Sequence, residues 1–190
     1  GYSAAVLKKM DQQAASIVFL SQGMPFIQAG QEFLRTKKGE ANSYAPPQSV
    51  TATADKLAWE LNTSALKWNL AYTNKAVADY YKGLIQLRKQ HPLFRLDNTG
   101  AIDGRYKWAP AVTGSNTLGF YYDQGSLVGD TWSTIAVGIN PNGTDQTLTL
   151  PNSGTWYVVV NGTAAGTNTI TTFTGNKVTI PANSTVVVRQ

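Results

Sequence analysis

Apolar positions change their spacing three times along the chain. From Val6 to Leu20 they fall at Val6, Leu7, Met10, Ala14, Ile17, Val18 and Phe19. That spacing makes one helical face, widening toward the C-terminal end. Ser21-Gln22-Gly23 supplies the stop, with Gly23 suited to a left-handed cap. Met24 to Ala29 is then an almost unbroken apolar run between two glycines, the pattern of a short strand covered on both faces. Pro25 cannot donate to a ladder and belongs at the strand's first residues, and Gly30 turns the chain into a polar loop. Residues 37–64 form a long connection rich in Gly, Pro, Ser, Thr, Ala and Asn.

The helical period returns at Val77, Tyr80, Tyr81, Leu84, Ile85 and Leu87. Thr73 or Asn74 is its N-cap and His91-Pro92 its end, with a shorter helical piece around Ala65 to Leu70 ahead of it. The tyrosines and Trp68, at helical spacing, read as core. From Asp97 a two-residue alternation takes over: Leu118, Phe120, Tyr122; Ile135, Val137, Ile139; Trp156, Val158, Val160; Val178, Ile180; Val186, Val188. Pro141-Asn142-Gly143, Asn161-Gly162 and Gly175-Asn176 read as the turns between strands. The expected fold is α/β followed by all-β. Residues 1–96 carry a helix, a buried strand and a helix, and residues 97–190 an antiparallel β-sandwich.

Composition narrows the function classes. Of 190 residues 42% are hydrophobic and 14% charged, which is a globular rather than a disordered balance. The apolar runs are strand-sized, so no membrane span is expected. The chain opens on Gly1-Tyr2-Ser3-Ala4, with neither an initiator methionine nor a visible signal peptide, as a processed, proteolysed or cloned piece would. Zero cysteines exclude disulfides and thiolate chemistry. The formal charge of +5 comes from sixteen scattered basic residues whose longest runs are the pairs Lys8-Lys9, Lys37-Lys38 and Arg88-Lys89. That scatter excludes a nucleic-acid footprint. One histidine, His91, leaves a Ser-His-Asp triad or a multi-histidine metal site hard to build, and its place before Pro92 suits capping or packing. No cofactor is implied.

The run Ser21-Gln22-Gly23-Met24-Pro25-Phe26-Ile27-Gln28-Ala29-Gly30-Gln31-Glu32-Phe33-Leu34-Arg35-Thr36-Lys37 resembles the last-strand motif of the type I pullulanases, starch-debranching members of the α-amylase superfamily of glycoside hydrolases. Asn42-Ser43-Tyr44, Tyr80-Tyr81-Lys82-Gly83-Leu84-Ile85 and Leu87-Arg88-Lys89-Gln90-His91-Pro92 match the same family in the same order, from about Lys9 to Arg95. The remainder is more weakly similar to the family's C-terminal β-domain. The resemblance implies that residues 1–96 are the last helix, strand and helix of a (β/α)8 barrel, incomplete here, and that 97–190 brace it. The family carries a carboxylate-tryptophan pair near Trp59, where this chain has Ala58.

Glycosidic cleavage needs two carboxyl groups flanking the bond. Of eleven acidic residues only Glu32 sits at the carboxyl end of a barrel-like strand, and no second acid has a place opposite it. The family's catalytic acids follow the fourth, fifth and seventh strands, upstream of this segment. No catalytic residue and no metal ligand is therefore expected. Glu32 is expected to be structural, orienting Arg35 or loop amides. Arg35 and Asn42 carry donors suited to sugar hydroxyls, and Tyr44 offers a face for a pyranose ring. The resemblance implies α-glucan contacts at these three, and the alternative is that they hold the loop together. On the sandwich Trp156 reads as core and Trp132 as the more exposed sugar-stacking candidate.

The resulting expectation is the C-terminal part of an enzyme cleaving α-1,6 branch points in pullulan or starch-type α-glucans. Its partner would be the N-terminal remainder of the enzyme, as a companion chain or a missing segment. The alternatives are a stand-alone carbohydrate-binding or scaffolding module, and a piece of an isoamylase or an α-1,4-acting amylase. The expected location is extracellular or cell-surface, with the cytoplasm as the alternative. The barrel part is expected to lean on a companion, on self-association or on the sandwich.

Overall fold

The computed structural model describes residues 1–36 and 65–190. By packing, these separate into two compact units: Gly1–Phe26 with Asp79–Gln190, and Ile27–Ala78.

In the larger unit, helix α1 (Ala4–Leu20) starts where the Ser3 hydroxyl accepts from the Val6 amide. Its last turn has no basic residue of its own. The C-terminal carbonyls are instead taken by Arg88, whose guanidinium donates to Phe19 O (2.9 Å), Ser21 O (2.6 Å) and Gly23 O. Arg88 lies on α3 (Lys75–Gln90), which ends as expected at His91-Pro92 and leads into a 3₁₀ turn (Pro92–Phe94). A short helix, α2 (Asn69–Thr73), precedes α3 and belongs to the smaller unit, later by a few residues than the sequence pattern places it. Helix α4 (Thr99–Arg105), capped by the Asn98 side chain, leads into the sheet.

The β domain is seven strands: β1 (Tyr106–Trp108), β2 (Ala111–Val112), β3 (Leu118–Tyr122), β4 (Ile135–Asn140), β5 (Gln146–Val160), β6 (Thr171–Ile180) and β7 (Ser184–Arg189). Every pairing is antiparallel, in the order β1-β3-β4-β7-β5-β2, with β6 also on β5. The long β5 is bent by a bulge. Its first part pairs with β2 and its last part with β7, and a register shift falls between Thr149 and Gly154. Leu148, Leu150, Trp156 and Val158 keep one parity across the bend and close a core with Ala136, Ile180, Val186 and Val188. Trp156 is fully buried, as its alternation predicts. Gly175-Asn176 is no turn. Gly175, at φ 144°, sits inside β6 opposite Gly154 of the bend, so its special backbone serves a kink.

Three further expectations are corrected here. Met24 to Ala29 joins no ladder among the described residues, and Met24 and Phe26 are 93% and 91% exposed. An apolar strand needs neighbours on both edges, and the seven described strands pair only among themselves. Helix α1 forms where expected but, of the predicted apolar face, buries only Phe19. Gln12, Gln13, Ala15, Ser16, Phe19 and Leu20 point inward while Leu7, Met10, Ala14 and Ile17 face out. The reason is polar: the β domain presents strand-end carbonyls, and Gln13 Nε2 donates to Asn140 O (2.8 Å) and Ser184 O (3.0 Å). Trp132, read as exposed, is only 8% exposed. It lies flat on His91 with centroids 3.5 Å apart, and the Arg189 guanidinium covers it at 5.2 Å.

Of the three supports foreseen for the helices, the β domain supplies one. Tyr122 Oη donates to Leu20 O and Tyr80 Oη to Asn161 O. Burial pushes both phenols up to about 12, so they remain protonated donors. Tyr81 donates to Asp11 and packs edge-on against Phe19.

Candidate functional site

The smaller unit contains the polar loop that follows the apolar run. Gly30, at φ 92°, starts a 3₁₀ turn (Gln31–Phe33). A β-carbon there would stand 3.0 Å from Arg35 Cβ and from Leu66 Cδ2, so both the angle and the space call for glycine. Phe33 N and Arg35 N both donate to Gly30 O, at 3.2 and 2.9 Å. Leu34 closes the turn in the left-handed region at φ 61°. A non-glycine residue held there costs on the order of 1–3 kcal/mol. Glu32 Oε2 accepts from the Gly30 amide at 2.9 Å, so this carboxylate braces the loop's own backbone. The Arg35 guanidinium donates to Ala29 O at 3.4 Å, and the side chain is half-buried against the loop.

Beneath the loop Phe33 is buried, and Asn74 Nδ2 donates to its carbonyl at 3.2 Å. Trp68 lies on Phe33, ring centroids 5.6 Å apart and planes inclined by 43°. Trp68 is nonetheless 68% exposed, which corrects its reading as core, and Tyr72 one turn later is 88% exposed. Tyr80 and Tyr81, from the same reading, are buried. Exposure of Trp68 was not legible because local spacing does not show which face of so short a helix the fold covers. Glu32 and Arg35 are thus placed together on one loop. Asn42 and Tyr44 lie outside the described residues, as do Ala58 and Trp59.

Elsewhere five described aspartates have structural partners. Asp11 accepts from Tyr81, Asp97 from Asn98, Asp123 from Lys107 and Asp145 from the Ala182 amide. Asp130 accepts from His91 Nδ1 (2.8 Å), the Trp132 amide (2.9 Å) and the Leu93 amide (3.2 Å). Burial pushes the Asp130 carboxyl up, but the bonds from His91 and the two amides outweigh it and hold the group below the ordinary aspartate value. His91 is therefore the packed residue that its position before Pro92 implies. Among the described residues no three His, Cys, Asp or Glu side chains gather as a metal site would require. A hollow of about 250 Å³ between Ser21, Gln22, Ile102, Tyr106, Phe120 and Tyr122 is largely apolar. The Gln22 amide beside it is committed to Leu93 O and the Leu96 amide.

Known proteins share the fold of this chain. Residues 115–164 match the profile described as pullulanase, all-beta domain. A pullulanase of Bacillus subtilis (strain 168) is 42% identical over 89 residues, covering 47% of this chain and 11% of that protein. An isoamylase of a Flavobacterium species is 29% identical over 212 aligned positions, covering 98% of this chain and 24% of the relative. Among solved structures, the pullulanase from Bacillus acidopullulyticus matches all of this chain at 35% identity and a TM-score of 0.85. The chain spans 21% of that protein, so each of these relatives is several times longer. In sequence and in fold, this chain resembles the C-terminal portion of a type I pullulanase.

Proposed function

We propose that the chain is a segment of a pullulanase-type glycoside hydrolase that cleaves α-1,6-glucosidic branch points in pullulan or starch-type α-glucans. Residues 1–96 contribute the last elements of its (β/α)8 barrel and one wall of the cleft, and residues 97–190 brace it. Arg35, with Asn42 and Tyr44, contacts the glucan, and Glu32 holds the loop that presents Arg35. The catalytic carboxylates come from N-terminal polypeptide, in the same chain or a companion. A polymeric substrate too large to cross a membrane suits action outside the cell or on its surface.

The observation that carries this reading is the match of the full chain to a pullulanase several times its length. Two features support the segment's dependence on a partner. The exposed Met24 and Phe26 give a stand-alone module no advantage. Five carboxylates are already bonded to side chains or amides within the fold, which leaves them poor candidates for paired acid and nucleophile. The near full-length similarity to an isoamylase carries a second reading, an enzyme of that type.

The test is product analysis on pullulan, a polymer of maltotriose units joined by α-1,6 bonds. The chain alone should release no reducing sugar, and the longer polypeptide containing it should release maltotriose. Sugar released by the chain alone would overturn the non-catalytic role. Trisaccharides that retain an α-1,6 bond would overturn the branch-point specificity.

A further inference from the structure

We propose that Trp68 and Tyr72 form an aromatic platform that stacks against glucose rings of an α-1,4-linked glucan, extending the wall begun by the Gly30–Arg35 loop; this rests on the α-glucan reading above. Trp68 already has helical backbone angles (φ −60°, ψ −24°) as it enters α2, and Tyr72 follows four residues later. Residues so spaced share one helical face. Both rings stand in the open, although Trp and Tyr are the side chains that most reward burial of a flat apolar surface.

The platform has a rigid back. Trp68 rests on buried Phe33, whose carbonyl is pinned by Asn74, and Phe33 is two residues from Arg35 in the same tight turn. Ring faces and the guanidinium fork thus belong to one small body. The neighbours argue for a sugar rather than another protein core. The Asn69 side chain, next to Trp68 in sequence, is exposed as well, and the Thr73 hydroxyl beside Tyr72, which donates to Asn69 O at 3.0 Å, keeps its lone pairs for an acceptor role, so hydrogen-bonding groups stand beside the aromatic faces. A pyranose presents that mixture itself, C–H groups on its face and hydroxyls on its rim. Met24 and Phe26 differ: they are exposed with only Pro25 between them, as a protein contact would require.

The experiment is oxidative footprinting of the 190-residue chain with and without maltohexaose, read peptide by peptide by mass spectrometry, alongside gel retardation in pullulan. Trp108, 65% exposed on β1, is the internal control. Maltohexaose should slow oxidation of Trp68 severalfold and leave Trp108 unchanged. Trp68→Ala and Tyr72→Ala should each weaken retardation severalfold, while Tyr72→Phe, which keeps the ring, should retain most of it. Retardation without protection of Trp68, or with protection at Trp108 alone, would overturn the platform and leave the α-glucan reading standing. Neither retardation nor protection would count against both. Equal protection by an α-1,6-linked isomaltohexaose would overturn the linkage class assigned to the ligand.

Discussion

Asp130 shows how much one buried side chain organises. It joins the end of α3, through His91 and the Leu93 amide, to the loop before β4, through the Trp132 amide. Asp130→Asn keeps the shape and removes the charge behind three bonds. Hydrogen bonds to charged groups contribute about 1.5–3 kcal/mol, so a comparable loss of stability is expected at neutral pH by urea unfolding. The pH dependence has a definite sign. A carboxyl held low in the folded state stabilises above its unfolded value, about 3.9 for aspartate, and loses that contribution as pH falls through the folded value. The gap in Tm between wild type and Asp130→Asn should therefore be full at neutral pH and close in strong acid. A gap that is constant down to low pH would mean that packing, not charge, is what the variant loses. Asp11 has the opposite sign. Burial raises it, more than the Tyr81 bond lowers it, so its contribution is present below the unfolded value and is lost as pH rises through the folded one.

At the scale of elements, Gly83 separates propensity from packing. In the middle of α3, glycine costs about 1 kcal/mol relative to alanine, so Gly83→Ala ought to stabilise the helix. A β-carbon there would lie 1.9 Å from the Ala165 carbonyl oxygen, a backbone atom that cannot swing aside. Overpacking costs about 1–3 kcal/mol and wins, so chemical unfolding should find Gly83→Ala net destabilised. A more stable variant would mean that the 161–166 loop yields freely. The motif Tyr80-Tyr81-Lys82-Gly83 was legible in the sequence, but the reason for its glycine was not, because Ala165 is 82 residues further along the chain. The same distinction runs through the rest. The existence of α1, α3 and the strands around Leu118, Ile135, Trp156 and Val186 was legible from spacing, but only α3 and the Trp156 strand also bury the predicted residues on one face. Met24 to Ala29, Trp68 and Trp132 were misread because their burial depends on what the rest of the fold brings to them. Of the candidate site, the sharp turn at Gly30 was legible from composition. The support under Trp68 was not, since Phe33 reaches it across a long connection.

At the scale of the whole molecule, α1 and the part of α3 from Asp79 onward are fastened to the β domain. Gln13, Tyr80 and Tyr122 each carry a bond between them. Amide hydrogen exchange across α1 and the second half of α3 should be slowed to the level of β4 and β7, while Met24, Phe26 and Ile27, outside any ladder, exchange rapidly. Exchange in α1 as fast as at Met24 would show that the helix is not held by the sheet. Gln13 has one more consequence. All six residues of β4 and five of six in β7 are buried, so hydrophobic patterning cannot tell one face of this strand pair from the other. A slip of β7 by one residue would exchange valine for valine at two positions. What marks the zero of the scale is the last rung, Asn140 opposite Ser184, where Gln13 grips both carbonyls and the Asn140 amide reaches Thr144, Ile180 and Pro181. The central ladder is indexed from its end, as a ruler is, and a helix far upstream in the chain holds the mark.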